Sequence, residues 1–287
     1  MGSSNQPPVI STPPAVPAPA KSSLTNVQRT GTSIVVALIV AAIYYAGTRK
    51  EWCATESWLL TLGLLVVLCI YLGWVISGRP LGILVGSRNL MSLSRFQMVA
   101  WTIVILSAFL TIAFRRILGG VANPLDIVID QHLWALLGIS TASLVGTPLI
   151  LQNKTGKDTD QATVAKTAIA TGETAQQVDD NRQGNLYANP SITDARVTDM
   201  FEGDEVGNTA YIDIAKVQMF LFTIIIIVAF CYQVYGMLCD FCKTGNIAAL
   251  VMPVLSPGLI ALLGISHAGY LGSKTADHTP VSPPTNG

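Results

Sequence analysis

Charge is in short supply in this chain. Asp, Glu, Lys and Arg make up 12% of its 287 residues, about half the share of an ordinary soluble domain. A water-facing surface needs that charge, so its absence excludes a purely soluble protein and implies long segments facing lipid. The charge that is present balances, 17 basic against 17 acidic residues, which excludes the basic surplus of a nucleic-acid-binding protein. No polybasic run stands next to an apolar segment either, so the sequence offers no contiguous patch for anionic lipid.

Catalytic patterns are equally scarce. Histidine occurs three times, and there is no Walker loop, no Gly-x-Ser-x-Gly, no His-Glu-x-x-His and no pair of intramembrane aspartates. The expectation is a protein that is not an enzyme and carries no cofactor or metal. Residues 199–205, Asp-Met-Phe-Glu-Gly-Asp-Glu, contain carboxylates but lack the alternate spacing of an EF-hand loop, and read as a solvated acidic turn. The first residues are not expected to act as a cleavable signal, because no apolar core follows a short basic stretch.

What the chain has in quantity is apolar sequence, 51% of its residues. Crossing ~30 Å of hydrocarbon takes about 20 apolar residues in a helix. Six runs qualify: Ser33–Gly47, which is short, Trp58–Ser77, Phe96–Phe114, Leu133–Leu151, Val217–Leu238 and Val254–Gly272. The fold class is therefore an all-α polytopic membrane protein with about six transmembrane helices. With six spans, ten of the fifteen basic residues near span ends share one side, among them Arg79, Arg88, Arg95, Lys154, Lys216 and Lys274. Basic residues are retained on the cytoplasmic side, so both termini and the polar stretch between spans four and five are expected there, in a bacterial cytoplasmic membrane.

The last four spans read as a tandem repeat of two helical hairpins. Arg95–Phe109 aligns with Lys216–Phe230 at seven of fifteen positions, pairing Gln97 with Gln218, and Asp130–Gly146 aligns with Ser256–Gly272 at nine of seventeen. Ser92, Asp130, Asp213 and Ser256 are candidate N-caps at the four helix starts. The organisation is then a disordered Pro-rich arm (1–30), two spans with their connection (31–90), the first hairpin (91–151), a polar insertion (152–211), the second hairpin (212–273) and a flexible tail (274–287). Within the insertion, Ser191 and Asp194 form a capping box that opens a short helix, whose Val197, Met200 and Phe201 share a face for a membrane surface or a partner.

Four groups of residues stand out for function. Gly138, Ala142 and Gly146, and likewise Gly264, Ala268 and Gly272, recur every four residues and would let spans four and six pack closely, or would form a contact between subunits. His267 is an ionisable group inside a span, a rarity that points to a polar site with Ser266 and Ser140. Gln97 and Gln218 sit just inside the ends of spans three and five, where amides either join helices or ring a pore. Cys53, Cys239 and Cys242 fall in outer loops, where Cys53 could bridge to either of the pair. The functional expectation is a scaffold, anchor or sensor working with the lipid bilayer and with protein partners or self-association, no nucleic acid being involved. The alternative is an oligomeric channel or small-solute transporter using the path near Ser266 and His267.

Overall fold

The computed structural model describes residues 26–281. Most of the Pro-rich arm and the last six residues lie outside that range. The helices are α1 (Asn26–Thr48), α2 (Ala54–Ser77), α3 (Leu93–Leu118), α4 (Gln131–Gln152), α5 (Gln161–Thr171), α6 (Ala175–Asn181), α7 (Ile214–Thr244) and α8 (Pro257–Thr275), and no strand forms among the described residues. Helix α1 starts at Asn26, inside the stretch expected as the arm.

Five helices, α1, α2, α3, α4 and α7, are long and apolar enough to cross a membrane. The chain is a multi-pass membrane protein. The run expected as a sixth span is α8, whose 19 residues include Ser266, His267, Tyr270 and Lys274, all buried. Those polar residues lower its hydropathy, and it belongs to the bundle through its packing on α4 and α7.

The polarity of the bundle is that of a protein dissolved in lipid. Leu59, Val67, Ile76, Leu149, Ile225 and Val228 point outward and exposed, whereas Ser57, Gln97, Ser107, Thr111 and Thr223 are buried. Lipid exerts no hydrophobic drive to hide the first set, and it cannot hydrogen-bond the second, so the polar side chains turn inward to find partners. The apolar core between α2, α3, α4, α7 and α8 is built from Trp101, Leu133, Leu136, Ile226, Phe230 and Leu263. Helix α1 packs on α2 and α3 at the rim, through Ile39 and Ile43 against Leu65.

Each hairpin helix starts from a local signal. Ser92 accepts from the Arg95 N–H, Asp130 from His132, Asp213 from Ala215 and Lys216, and Ser256 from Leu259, with Pro257 at the first helical position. A side-chain oxygen there satisfies an N–H that the helix leaves free. Helix α7, with 31 residues, is about 46 Å long and so extends beyond the hydrocarbon at its ends.

Two expectations about packing change. Helices α4 and α8 do lie against each other, but the small-residue stripes do not form the contact. Gly138, Ala142, Ala268 and Gly272 are exposed; only Gly146, near Leu271, and Gly264, near Ile139, touch the facing helix. The face carrying Ser140, Ser143 and Thr147 on α4, and Ser266, His267 and Tyr270 on α8, is the buried one. It lies roughly a third of a turn from the stripe, and Ser143, Thr147, His267 and Tyr270 find hydrogen-bond partners there, which glycine side chains cannot. Gly138→Leu is accordingly expected to leave the thermal stability of the isolated chain within about 0.5 kcal/mol of wild type, since a Cβ there meets nothing. Intact stability with altered migration in size-exclusion chromatography would instead mark the stripe as a subunit contact.

The second change concerns the insertion and the tail. The capping box at Ser191 opens only a 3-10 turn, Ile192–Asp194, and a second turn, Val197–Met200, follows. Met200 and Phe201 do not present a face to a partner: they pack with Val85, Met91, Met219 and Tyr270 at the base of the bundle. The tail is docked as far as Val281. The Asp160 N–H donates to the Pro280 carbonyl, the His278 N–H to Glu205, and Thr279 is buried.

Candidate functional site

Residues 199–205, expected to be a solvated turn, are the anchor of the insertion. Asp204 faces three cations: Arg88 at 2.7 Å, Lys216 at 3.2 Å and Lys274, with which it forms its closest pair. Arg88 comes from the α2–α3 connection, Lys216 from the first turn of α7 and Lys274 from the last turn of α8. One carboxylate therefore ties the insertion to three separate parts of the bundle. Burial alone would raise the Asp204 carboxyl, but the charges of Lys216, Lys274 and Arg88 outweigh it and hold the group well below the ordinary carboxylate range.

Beside this hub, Lys154 at the end of α4 pairs with Glu205 at 2.5 Å, with side chains 3% and 1% exposed, and also donates to the Ala276 carbonyl of the tail. Asp199 accepts from the Met91 and Arg196 N–H groups; its carboxyl is raised, because burial outweighs those two bonds. Arg79 donates to the carbonyls of Ile192, Thr193 and Ala195. Sequence reasoning missed all of these as functional residues. Lys154, Lys216 and Lys274 carry the signal that could have found them: basic residues at the ends of three spans, on the side of the longest acidic run.

The expected intramembrane site is a second network, about two turns deeper. The Gln97 amide on α3 donates to Thr223 Oγ1 on α7 at 2.5 Å and lies 3.3 Å from His267 Nε2 on α8. His267 Nδ1 is 2.5 Å from Ser143 Oγ on α4. With the amide donating to Nε2, the neutral ring carries its proton on Nδ1 and donates it to Ser143. This cluster joins all four hairpin helices. Nearer the hub, Tyr270 Oη contacts Ser94 and Thr147 at 3.4 and 3.3 Å, and the Lys274 ammonium lies 4.5 Å from the centre of the Tyr270 ring. Polar groups thus run from Asp204 through Lys274 and Tyr270 toward His267.

The other expected members stand apart from this line. Ser266 and Ser140 are buried, yet their hydroxyls have no hydrogen-bond partner, and the same holds for Gln97 Oε1 and Trp101 Nε1. Gln218 is exposed on α7 and so forms no amide pair with the fully buried Gln97. The two helices sit in different surroundings: α3 packs on α1, α2, α4 and α7, and α7 packs on α2, α3 and α8.

At the opposite end of the bundle, Cys53, the N-cap of α2, is joined to Cys242 near the end of α7 by a disulfide, and Cys239 is free. The Arg115 guanidinium donates to Ser57 Oγ at 2.5 Å and to the Arg49 and Cys53 carbonyls. No group of three or more His, Cys, Asp or Glu converges on a metal position among the described residues. Between the His267 network and this end lie Trp101, Leu133, Leu136, Ile226, Phe230 and Leu263, each less than 2% exposed. Comparison with protein-family models, with curated proteins and with solved structures finds no match to this chain.

Proposed function

We propose that this chain is a non-catalytic membrane scaffold or sensor, in which a six-span bundle holds its insertion as a rigid platform for protein partners. The observation that carries this reading is the joining of platform to bundle through buried ion pairs, Asp204 with Arg88, Lys216 and Lys274, and Glu205 with Lys154. Charge withdrawn from water is costly to desolvate, and in this reading these pairs are retained because they hold the platform in one geometry on the bundle. Movement of α7 or α8 reaches the platform directly through Lys216 and Lys274. In this reading the last four helices descend from a duplicated hairpin, with equivalent caps and divergent interiors.

A transporter is the second reading, favoured by the His267–Ser143–Gln97 network. The apolar plug around Trp101 and Phe230 weighs against it, because closely packed large side chains leave no room for water. Reconstituted full-length protein tested for proton, ion and small-solute flux decides between the two. The scaffold reading expects flux equal to that of empty vesicles, and flux abolished by His267→Ala would replace it.

The proposed orientation places both termini and the insertion in the cytoplasm of a bacterial cell, supported by the ten-to-five distribution of basic residues. Thiol-labelling of cysteines introduced at Gly156 and Gly120, in a chain whose free Cys69, Cys231 and Cys239 are changed to Ser, should in intact cells mark only the Gly120 position from outside. Labelling of Gly156 from outside would invert the arrangement.

A further inference from the structure

A cavity of about 720 Å³ opens between the start of α3 and the end of α4, where both helices meet the insertion. Its volume is within the ~300–1,000 Å³ of small-ligand sites. The two ends of the cleft differ chemically. Met98 of α3 and Leu144 and Pro148 of α4 form an apolar wall on the membrane side, while Arg88, Arg95 and Lys216 line it toward the insertion.

Charge at that second end is unbalanced. Asp204 is one carboxylate among Arg88, Lys216 and Lys274, and Arg95 is exposed with no acidic partner among the described residues. With Asp199, which accepts from two backbone N–H groups, the cleft is lined by two carboxyls against the three cations Arg88, Arg95 and Lys216, a surplus of one positive charge.

We propose that this cleft binds one anionic phospholipid of the surrounding bilayer. Its phosphate sits toward Arg95 and the hub, and an acyl chain lies along Met98, Leu144 and Pro148. An anion of this kind neutralises the surplus of cations, and an amphiphile matches a cleft that is apolar on one side and basic on the other. The cations converge only on folding, from positions 88, 95 and 216, which is why no basic run announces them. This inference is independent of whether the chain is a scaffold or a transporter.

The test is native mass spectrometry of the detergent-solubilised full chain, titrated with phosphatidylglycerol, phosphatidylcholine or inorganic phosphate. The expected result is a first phosphatidylglycerol bound more tightly than phosphatidylcholine and not displaced by inorganic phosphate. Arg95→Gln should weaken it about fivefold, the effect of one basic residue at a membrane surface, and Arg95→Lys should restore it. Leu144→Trp, which fills the apolar wall, should abolish phosphatidylglycerol binding in protein of unchanged melting temperature; should that variant unfold, Met98→Trp serves the same purpose from α3. Equal binding of the two lipids, displacement by inorganic phosphate, or an Arg95→Gln protein with wild-type affinity would each overturn the proposal.

Discussion

Asp204→Asn is expected to destabilise the docked insertion by about 3–5 kcal/mol, the usual result of removing one partner from a buried ion cluster. The substitution leaves Arg88, Lys216 and Lys274 in a site only slightly open to water, where their mutual repulsion is poorly screened. Asparagine keeps the volume and an acceptor, so the loss reports charge. The pH dependence follows from the depressed Asp204 carboxyl. Stabilisation is complete above the unfolded value of about 3.9 and is lost as pH falls through the still lower folded value. Wild type should therefore hold its insertion down to about pH 4 and release it below, whereas the variant is weakened throughout. Limited proteolysis within residues 153–213 and thermal unfolding in detergent measure this. The control is Asp158→Asn, an exposed partner of Arg182, expected to cost under about 1 kcal/mol. Equal protease resistance of the Asp204 variant and wild type would mean that apolar packing around Met200 holds the insertion.

The same residues mark where sequence reasoning reaches and where it stops. Helix starts were legible because capping is local: Ser92, Asp130, Asp213 and Ser256 each bond to a backbone N–H within three residues. Spans were legible because the bilayer fixes their length, with α8 the borderline element. The hub was not legible, since Asp204 meets residues 116 positions before it and 70 after it, and no periodicity records such pairing. Lys154, Lys216 and Lys274 read naturally as basic residues marking one side of the membrane. The small-residue stripes misled for a related reason. Spacing identifies a face of a helix but not the direction in which it points, and that direction was set by Ser143, Thr147, His267 and Tyr270, which find partners only in the interior.

Removing the disulfide is expected to have the other large effect. Cys53 and Cys242 are 189 residues apart, and closing a loop of that size restricts the unfolded chain by about 5 kcal/mol. That figure is a ceiling, because a membrane-inserted chain is already restricted when its tertiary contacts are lost. The bond ties the start of α2 to the end of α7, at the opposite end of the bundle from the Asp204 hub, so the two constraints fix α7 near both of its termini. Wild-type protein should melt several degrees lower in reductant, and Cys53→Ser/Cys242→Ser should melt at that lower temperature with or without it. Cys239→Ser, altering a free thiol, should leave the melting temperature and its response to reductant unchanged. The same measurement bears on orientation, since such a bond persists only on an oxidising side of a membrane. Alkylation of Cys53 in denatured, unreduced protein from intact cells would show that the thiol is free, which would remove both the constraint and the reason for placing this end of the bundle outside.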